Sequence, residues 1–176
     1  MKQRMHHGIV DYESLKEVDS DSEIIKSTYF TGNNALDVIL SEKALMCERL
    51  GIRFICTADG AAIDFMKPHH IYSFVGNALE NAVESLKDET DESLREITVS
   101  ITRRENTCII KTVNYVKHRV KIVDGMPVTI KSDMENHGFG AKSMKSVVLK
   151  YGGHISFYEE DSNFIMIAMI PIPQKQ

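Results

Sequence analysis

The chain has 176 residues and a mass of 19.9 kDa, with 43% hydrophobic and 26% charged residues, the make-up of one globular domain or one domain with a short appendage. Its net charge of −4 leaves no electrostatic footprint for nucleic acid, and its three scattered cysteines, Cys47, Cys56 and Cys108, form neither a CxxC pair nor a disulfide framework, so a reducing compartment is expected. No stretch approaches the roughly 20 apolar residues of a membrane span, and Met1-Lys2-Gln3-Arg4 lacks the apolar run of a signal peptide, which points to a cytosolic protein or a soluble piece of a larger one.

Residues 1 to about 31 are polar and acidic, with Asp19-Ser20-Asp21-Ser22-Glu23 in their middle. Alone they cannot make a core. A compact domain is expected to begin near Thr31-Gly32-Asn33. Leu36, Ile39, Leu40, Lys43, Cys47 and Leu50 recur at three- and four-residue steps, which predicts a helix from Asn34 to Leu50 stopped at Gly51. A short strand over Ile52 to Cys56 follows, ended by Asp59-Gly60. Pro68 suits a first helical turn. From it the apolar face Ile71, Phe74, Val75, Ala78, Leu79, Ala82 and Leu86 predicts a second helix.

Ile97, Val99 and Ile101 alternate with Thr98, Ser100 and Thr102, and a polar turn then leads to Cys108 to Val113; this predicts a hairpin. Residues 116 to 137 have no period and read as a long loop, a lid in expectation. A third helix is predicted from about Gly140 to Tyr151, stopped by Gly152-Gly153. A second hairpin follows, with strands Ile155 to Tyr158 and Phe164 to Ile170. The last strand is apolar at nearly every position, so a central place covered on both faces is expected. The element order predicts an α/β (α+β) two-layer sandwich, a mixed, mostly antiparallel sheet with helices on one face.

Two motifs bear on chemistry. In Gly76-Asn77-Ala78-Leu79-Glu80-Asn81-Ala82, helical spacing puts Asn77 and Asn81 on one flank beside the apolar arc, with His70 and Glu84. Asn carbonyl oxygens are hard ligands suited to Mg²⁺, which keeps waters and takes phosphate oxygens; the plainer reading is a solvated flank. In His137-Gly138-Phe139-Gly140-Ala141-Lys142-Ser143, two glycines open a helix whose free N–H groups favour phosphate, and Lys142 adds a point charge. The spacing is neither a Walker loop nor a dinucleotide fingerprint, and the plainer reading is an ordinary helix start. His69 and His118 read as surface residues, His154 as a strand edge, and nine methionines as core filler.

Taken together, these motifs resemble the ATP-binding (Bergerat-fold) catalytic domain of the GHKL superfamily. More narrowly, the chain is similar to sensor histidine kinases of the peptide-quorum-sensing type. The matching stretches are Thr31-Gly32-Asn33 with Leu36-Asp37 and Lys43, Gly76 to Ala82, Lys131, His137-Gly138-Phe139-Gly140 with Lys142-Ser143, and Lys150-Tyr151-Gly152-Gly153. They cover about residues 31 to 171. The resemblance implies residues 1–31 as a remnant of the dimerisation and phosphoacceptor region and residues 32–173 as the catalytic domain. It implies ATP and Mg²⁺ as cofactors, Asn81 as the Mg²⁺ ligand, and Asn77 as its catalytic companion. Gly138, Phe139, Gly140, Lys142 and Ser143 match the Gly-rich motif beside the phosphates. Lys131 and His137, at the end of a lid from about Tyr115 to Asn136, are implied phosphate contacts. Implied partners are a response regulator and the chain's own upstream helices, in the cytoplasmic part of a membrane receptor. Nucleic acid is not among them, and this stretch itself would not touch the membrane.

Two departures from the superfamily stand out. The Asp-x-Gly-x-Gly motif that reads adenine is replaced by Val113-Asn114-Tyr115, leaving Asn114 to offer an amide. Asn77 stands where the hydrolases of the superfamily carry a Glu, and an amide is no general base. That favours transfer to a protein histidine over hydrolysis. His6 and His7 are the only upstream histidines, and neither is expected to be the acceptor. Two alternatives stay open: a degenerate domain that binds a partner with little or no ATP, and a Ser/Thr kinase of the same superfamily.

Overall fold

The computed structural model describes residues 29–128 and 139–174. Helix α1 spans Asn34–Arg49, strand β1 Arg53–Ala58, helix α2 Pro68–Leu86, β2 Glu96–Arg104 and β3 Thr107–Tyr115. Then come β4 (Lys121–Val123), β5 (Met126–Val128), α3 (Phe139–Lys150), β6 (His154–Glu160) and β7 (Asn163–Pro171). Five strands form one sheet in the order β1-β2-β3-β7-β6. Only the β1–β2 pair in it is parallel, because α2 carries the chain back over the sheet between them. The expected two-layer α/β arrangement, mostly antiparallel with its helices against one sheet face, is what forms.

Each helix begins and ends for a local reason. The Asn33 side chain caps α1 by accepting from the Leu36 N–H at 3.1 Å, and Gly51, at φ +64°, lets the chain turn away. Pro68 opens α2. That helix buries Ile71, Phe74, Val75, Ala78, Leu79, Ala82, Val83 and Leu86, at about 1.5–3 kcal/mol for each of the larger side chains. Burial rather than propensity therefore holds it. Ile97, Val99, Ile101, Ile110, Ile155, Phe157, Met166, Ala168 and Ile170 meet the helices from the sheet.

Strand β7 lies between β3 and β6, inside the sheet, but the described elements do not cover it on both sides. All three helices lie over one face, and on the other Met169 is 45% exposed. The apolar residues on that open face pair across strands, Ile165 facing Val113 on one side and Tyr158 on the other. These cross-strand pairs account for the continuous apolar run. The expected loop after Tyr115 also holds structure: β4 and β5 form a hairpin around Asp124 and Gly125, both at positive φ. Ile122 and Met126 of this hairpin pack on the core, and the Val120 N–H donates to Glu159 Oε2 at 2.9 Å.

The chain ahead of α1 is clasped to the domain. Asp37 Oδ1 accepts from the Thr31 N–H at 2.7 Å and from its hydroxyl at 2.6 Å. Asn33 Nδ2 donates to Asp64 Oδ1, and the Gly60 N–H to the Thr31 carbonyl. A Cβ on Gly60 would lie 2.5 Å from that carbonyl oxygen. Between α1 and α2, the Lys43 ammonium, 8% exposed, reaches Glu80 Oε2 at 2.6 Å and Glu42 at 3.6 Å. Burial works against its charge, but the hydrogen bond and negative charge of Glu80, with Glu42, outweigh it and raise the lysine pKa. Burial also pushes the Cys47 thiol up to about 11 and Cys56 and Cys108 up to about 12, so none is a nucleophile at neutral pH.

Two outcomes follow for stability. Gly60→Ala forces a methyl into a backbone contact and costs about 1–3 kcal/mol in urea denaturation. Lys43, with its folded pKa raised, contributes stability that is full below 10.5 and fades as pH rises through the folded value. Alkaline unfolding monitored by circular dichroism loses this component in Lys43→Met.

Candidate functional site: the seam between α2 and α3

One stripe of α2, His70, Ser73, Asn77 and Asn81, faces α3 at helical spacing. Contacts join the two helices at each level. Tyr151, just past α3, sits with its hydroxyl 2.8 Å from His70 Nδ1. Ser143 Oγ lies 3.3 Å from Ser73 Oγ. At the N-terminal end of α3, Gly140 packs on both asparagines: a Cβ there would lie 3.3 Å from Asn77 Oδ1 and 3.4 Å from Asn81 Oδ1. The predicted residues Asn77, Asn81, Gly140 and Ser143 are thus brought together by antiparallel packing of two helices.

The two amides differ. Asn77 Nδ2 donates to the Ser73 carbonyl at 2.7 Å, one turn back, which fixes the amide plane and leaves Oδ1 toward Gly140. Asn81 is exposed and its side chain makes no hydrogen bond among the described residues. Asn77 Oδ1 and the Asn81 amide, its Oδ1 and Nδ2 at 3.4 and 3.5 Å from a Cβ built on Gly140, therefore meet the first turn of a 12-residue helix, whose leading N–H groups have no partners within the helix and carry partial positive charge. Oxygen acceptors beside amide donors suit a metal and an oxyanion held together.

The donor set bears on which metal fits. Among the described residues no group of three or more His, Cys, Asp or Glu side chains could hold an ion. A cation here would rest on Asn carbonyl oxygens and on oxygens supplied by water and ligand. That is the coordination Mg²⁺ prefers, and it does not suit Zn²⁺.

The other predicted residues fall elsewhere. Asn114 is 4% exposed on the helix face of β3. Its amide nitrogen donates to Ser85 Oγ at 2.6 Å and to the Tyr115 carbonyl at 3.0 Å, beside the C-terminal end of α2. Lys142 is exposed on the outer face of α3, where it lines an open groove of about 610 Å³ with Met126, Lys145, Ser146, Leu149 and Lys150. Lys131, His137 and Gly138 lie outside the described residues, as does the Phe139 side chain. Sequence reasoning missed Ser73 and Ser85, although Ser73 stands one turn before Asn77 on the same flank. At the far end of the seam the His70 pKa is lowered by burial and by the charges of His69, Lys150 and Lys67, so its ring is neutral at neutral pH. No helix among the described residues is long and apolar enough to cross a membrane.

Comparison with known proteins places this geometry. Solved structures share the fold at low identity. The catalytic domain of histidine kinase ThkA, in a nucleotide-free form, superposes with a TM-score of 0.58 at 15% identity, covering 81% of this chain and 95% of that one. The Acinetobacter baumannii histidine kinase AdeS gives 0.54 at 10% identity, covering 80% of this chain. The histidine kinase domain of the Erythrobacter litoralis EL346 blue-light-activated kinase gives 0.54 at 16%, covering 78%. The match spans 64% of the AdeS chain and 59% of the EL346 chain. No curated protein sequence matches. The family model described as GHKL domain matches residues 66–171, from just before α2 to the end of β7, and this chain belongs to that family.

Proposed function

We propose that this chain is the ATP-binding catalytic domain of a two-component sensor histidine kinase of the peptide-quorum-sensing-receptor type. It transfers the γ-phosphate of ATP to a histidine outside residues 32–173. In this reading residues 1–31 are the remnant of the dimerisation and phosphoacceptor region, and the domain belongs to the cytoplasmic side of a membrane receptor. Its partners are those upstream helices and a response regulator. The observation that carries the reading is the convergence of Asn77 Oδ1 and Asn81 Oδ1 on Gly140 at the head of α3. The names of the solved structures with this fold, histidine kinase catalytic domains, agree with it.

Each residue then has a role. Asn81, exposed and unengaged among the described residues, offers its carbonyl oxygen to a metal. Asn77, its plane set by Ser73, orients a water or phosphate oxygen beside it. The first N–H groups of α3 face the phosphate chain, and Gly140 permits the close approach that a side chain would obstruct. Ser143 adds a hydroxyl near that end, and Lys142, on the outer face of α3, adds positive charge at a distance. Lys131, His137, Gly138 and Phe139 are assigned to the phosphates in this reading by their match to the family's motifs alone. Asn81, with Asn77 beside it, would hold Mg²⁺, and the ion would supply positive charge that offsets the charge of the phosphates. Asn77 takes no proton from water, so hydrolysis lacks its base. A neutral imidazole nitrogen is already a nucleophile, so transfer to histidine needs none at this position.

One observation favours a second reading, an interaction module with weak nucleotide binding. The amide nitrogen of Asn114, the residue matched to adenine recognition, is occupied by Ser85 and the Tyr115 carbonyl. Calorimetric titration with ATP, with and without Mg²⁺, separates the two. The kinase reading requires Mg²⁺-dependent binding that weakens at least about tenfold in Asn81→Ala with the melting temperature unchanged. Absence of binding at millimolar ATP supports the module.

A further inference from the structure

Lys150-Tyr151-Gly152-Gly153 matches the family pattern yet lies at the opposite end of α3 from Gly140. Its geometry is that of a pin. The Tyr151 hydroxyl accepts from the Lys67 N–H at 2.8 Å, the N-cap position of α2, and lies at hydrogen-bond distance, 2.8 Å, from His70 Nδ1. The ring is wedged edge-on between Phe65, at 5.7 Å, and His70, at 5.5 Å. Gly152 turns the chain at φ +68°, and a Cβ on Gly153 would lie 2.6 Å from the Met169 carbonyl oxygen. The C-terminal end of α3 is thereby fixed to both α2 and β7.

We propose that Tyr151 is a positioning residue for the phosphate end of the site, acting through the angle of α3; this rests on the nucleotide-binding reading above. Helix α3 is about 18 Å long at 1.5 Å per residue. A tilt of about 3° at the pinned end moves Gly140 by about 1 Å relative to Asn77 and Asn81. Errors of that size can cost as much as about a hundredfold where groups must align. The two hydrogen bonds of one hydroxyl hold that angle, while the ring supplies ordinary packing. In the tautomer of neutral His70 with its proton on Nε2, Nδ1 accepts a hydrogen bond from the phenol O–H, and the phenol oxygen accepts from Lys67. Lys67 and Lys150 place positive charge near this pair.

Tyr151→Phe isolates the hydroxyl, because the ring contacts with Phe65 and His70 remain. In the full chain, Mg²⁺-ATP affinity is expected to fall about three- to tenfold, the scale of remote coupling through packed networks, with the melting temperature within about 2 °C. His70→Leu, which leaves the Lys67 bond in place, is expected to give part of that loss, and the double variant to be no worse than Tyr151→Phe. His70→Asn, whose side-chain amide falls near the Nδ1 position, is expected to retain most of the affinity. In the nucleotide-free protein, the side-chain amide NMR signals of Asn77 and Asn81 are expected to shift in Tyr151→Phe and not in His70→Asn. Wild-type affinity in Tyr151→Phe, or unmoved amide signals, overturns the proposal. If the wild type binds no ATP, the nucleotide reading fails separately, and the amide signals alone decide whether Tyr151 sets the position of α3.

Discussion

The close approach of a helix start to two asparagine side chains organises this domain. Gly140 sits close to both asparagines, where a Cβ would crowd Asn77 Oδ1 slightly at 3.3 Å and meet Asn81 at ordinary contact distance, and Asn77 is folded back onto the Ser73 carbonyl. Below that contact the seam alternates polar pairs with apolar packing. Ser73 with Ser143 and His70 with Tyr151 set register, while Phe74, Ala78, Met144, Val147 and Val148 exclude water. A purely apolar interface would tolerate sliding between the helices. Hydrogen bonds at separate levels do not, since each is lost if the helices shift by one turn.

The rest of the fold holds α2 and α3 in place. Helix α2 sits between α1 and α3 as the crossover between two parallel strands. Lys43 and Glu80 tie it to α1, and Asn114 with Ser85 ties its last turn to β3. The chain before α1 is fixed by Thr31, Asn33 and Gly60. Such polar clasps each add only modest net stability, but each restricts how the elements that carry the proposed site can move.

Much of this was legible in the residues. Pro68 and the long apolar arc gave α2 its limits, and the alternation in β2 gave its inward face. Asn77 and Asn81 were readable as a pair because four residues make one helical turn. Other features were out of reach for identifiable reasons. The parallel register of β1 on β2 and the contact of His70 with Tyr151 join residues far apart in sequence, and no local pattern encodes them. The covering of β7 was misjudged because apolar residues on the open face pair with each other rather than with a second layer. The β4–β5 hairpin was available from Asp124-Gly125, a dipeptide suited to the two positive φ values of its turn. Three-residue strands were too short to show a period. The burial of Asn114 follows from its place in the strand alternation, but its Ser85 partner does not.

The sheet order divides the domain into two consecutive blocks of chain. One runs from α1 to β3, the other from α3 to β7. They meet along the β3–β7 pairing and again along the seam of α2 with α3. Asn77 and Asn81 belong to the first block and Gly140 to the second. Whatever is bound between them is gripped from both sides of the division, so its binding free energy adds to the cohesion between the blocks. An occupied site thus acts as a staple: separation of the two blocks, the least local step of unfolding, becomes coupled to release of the ligand.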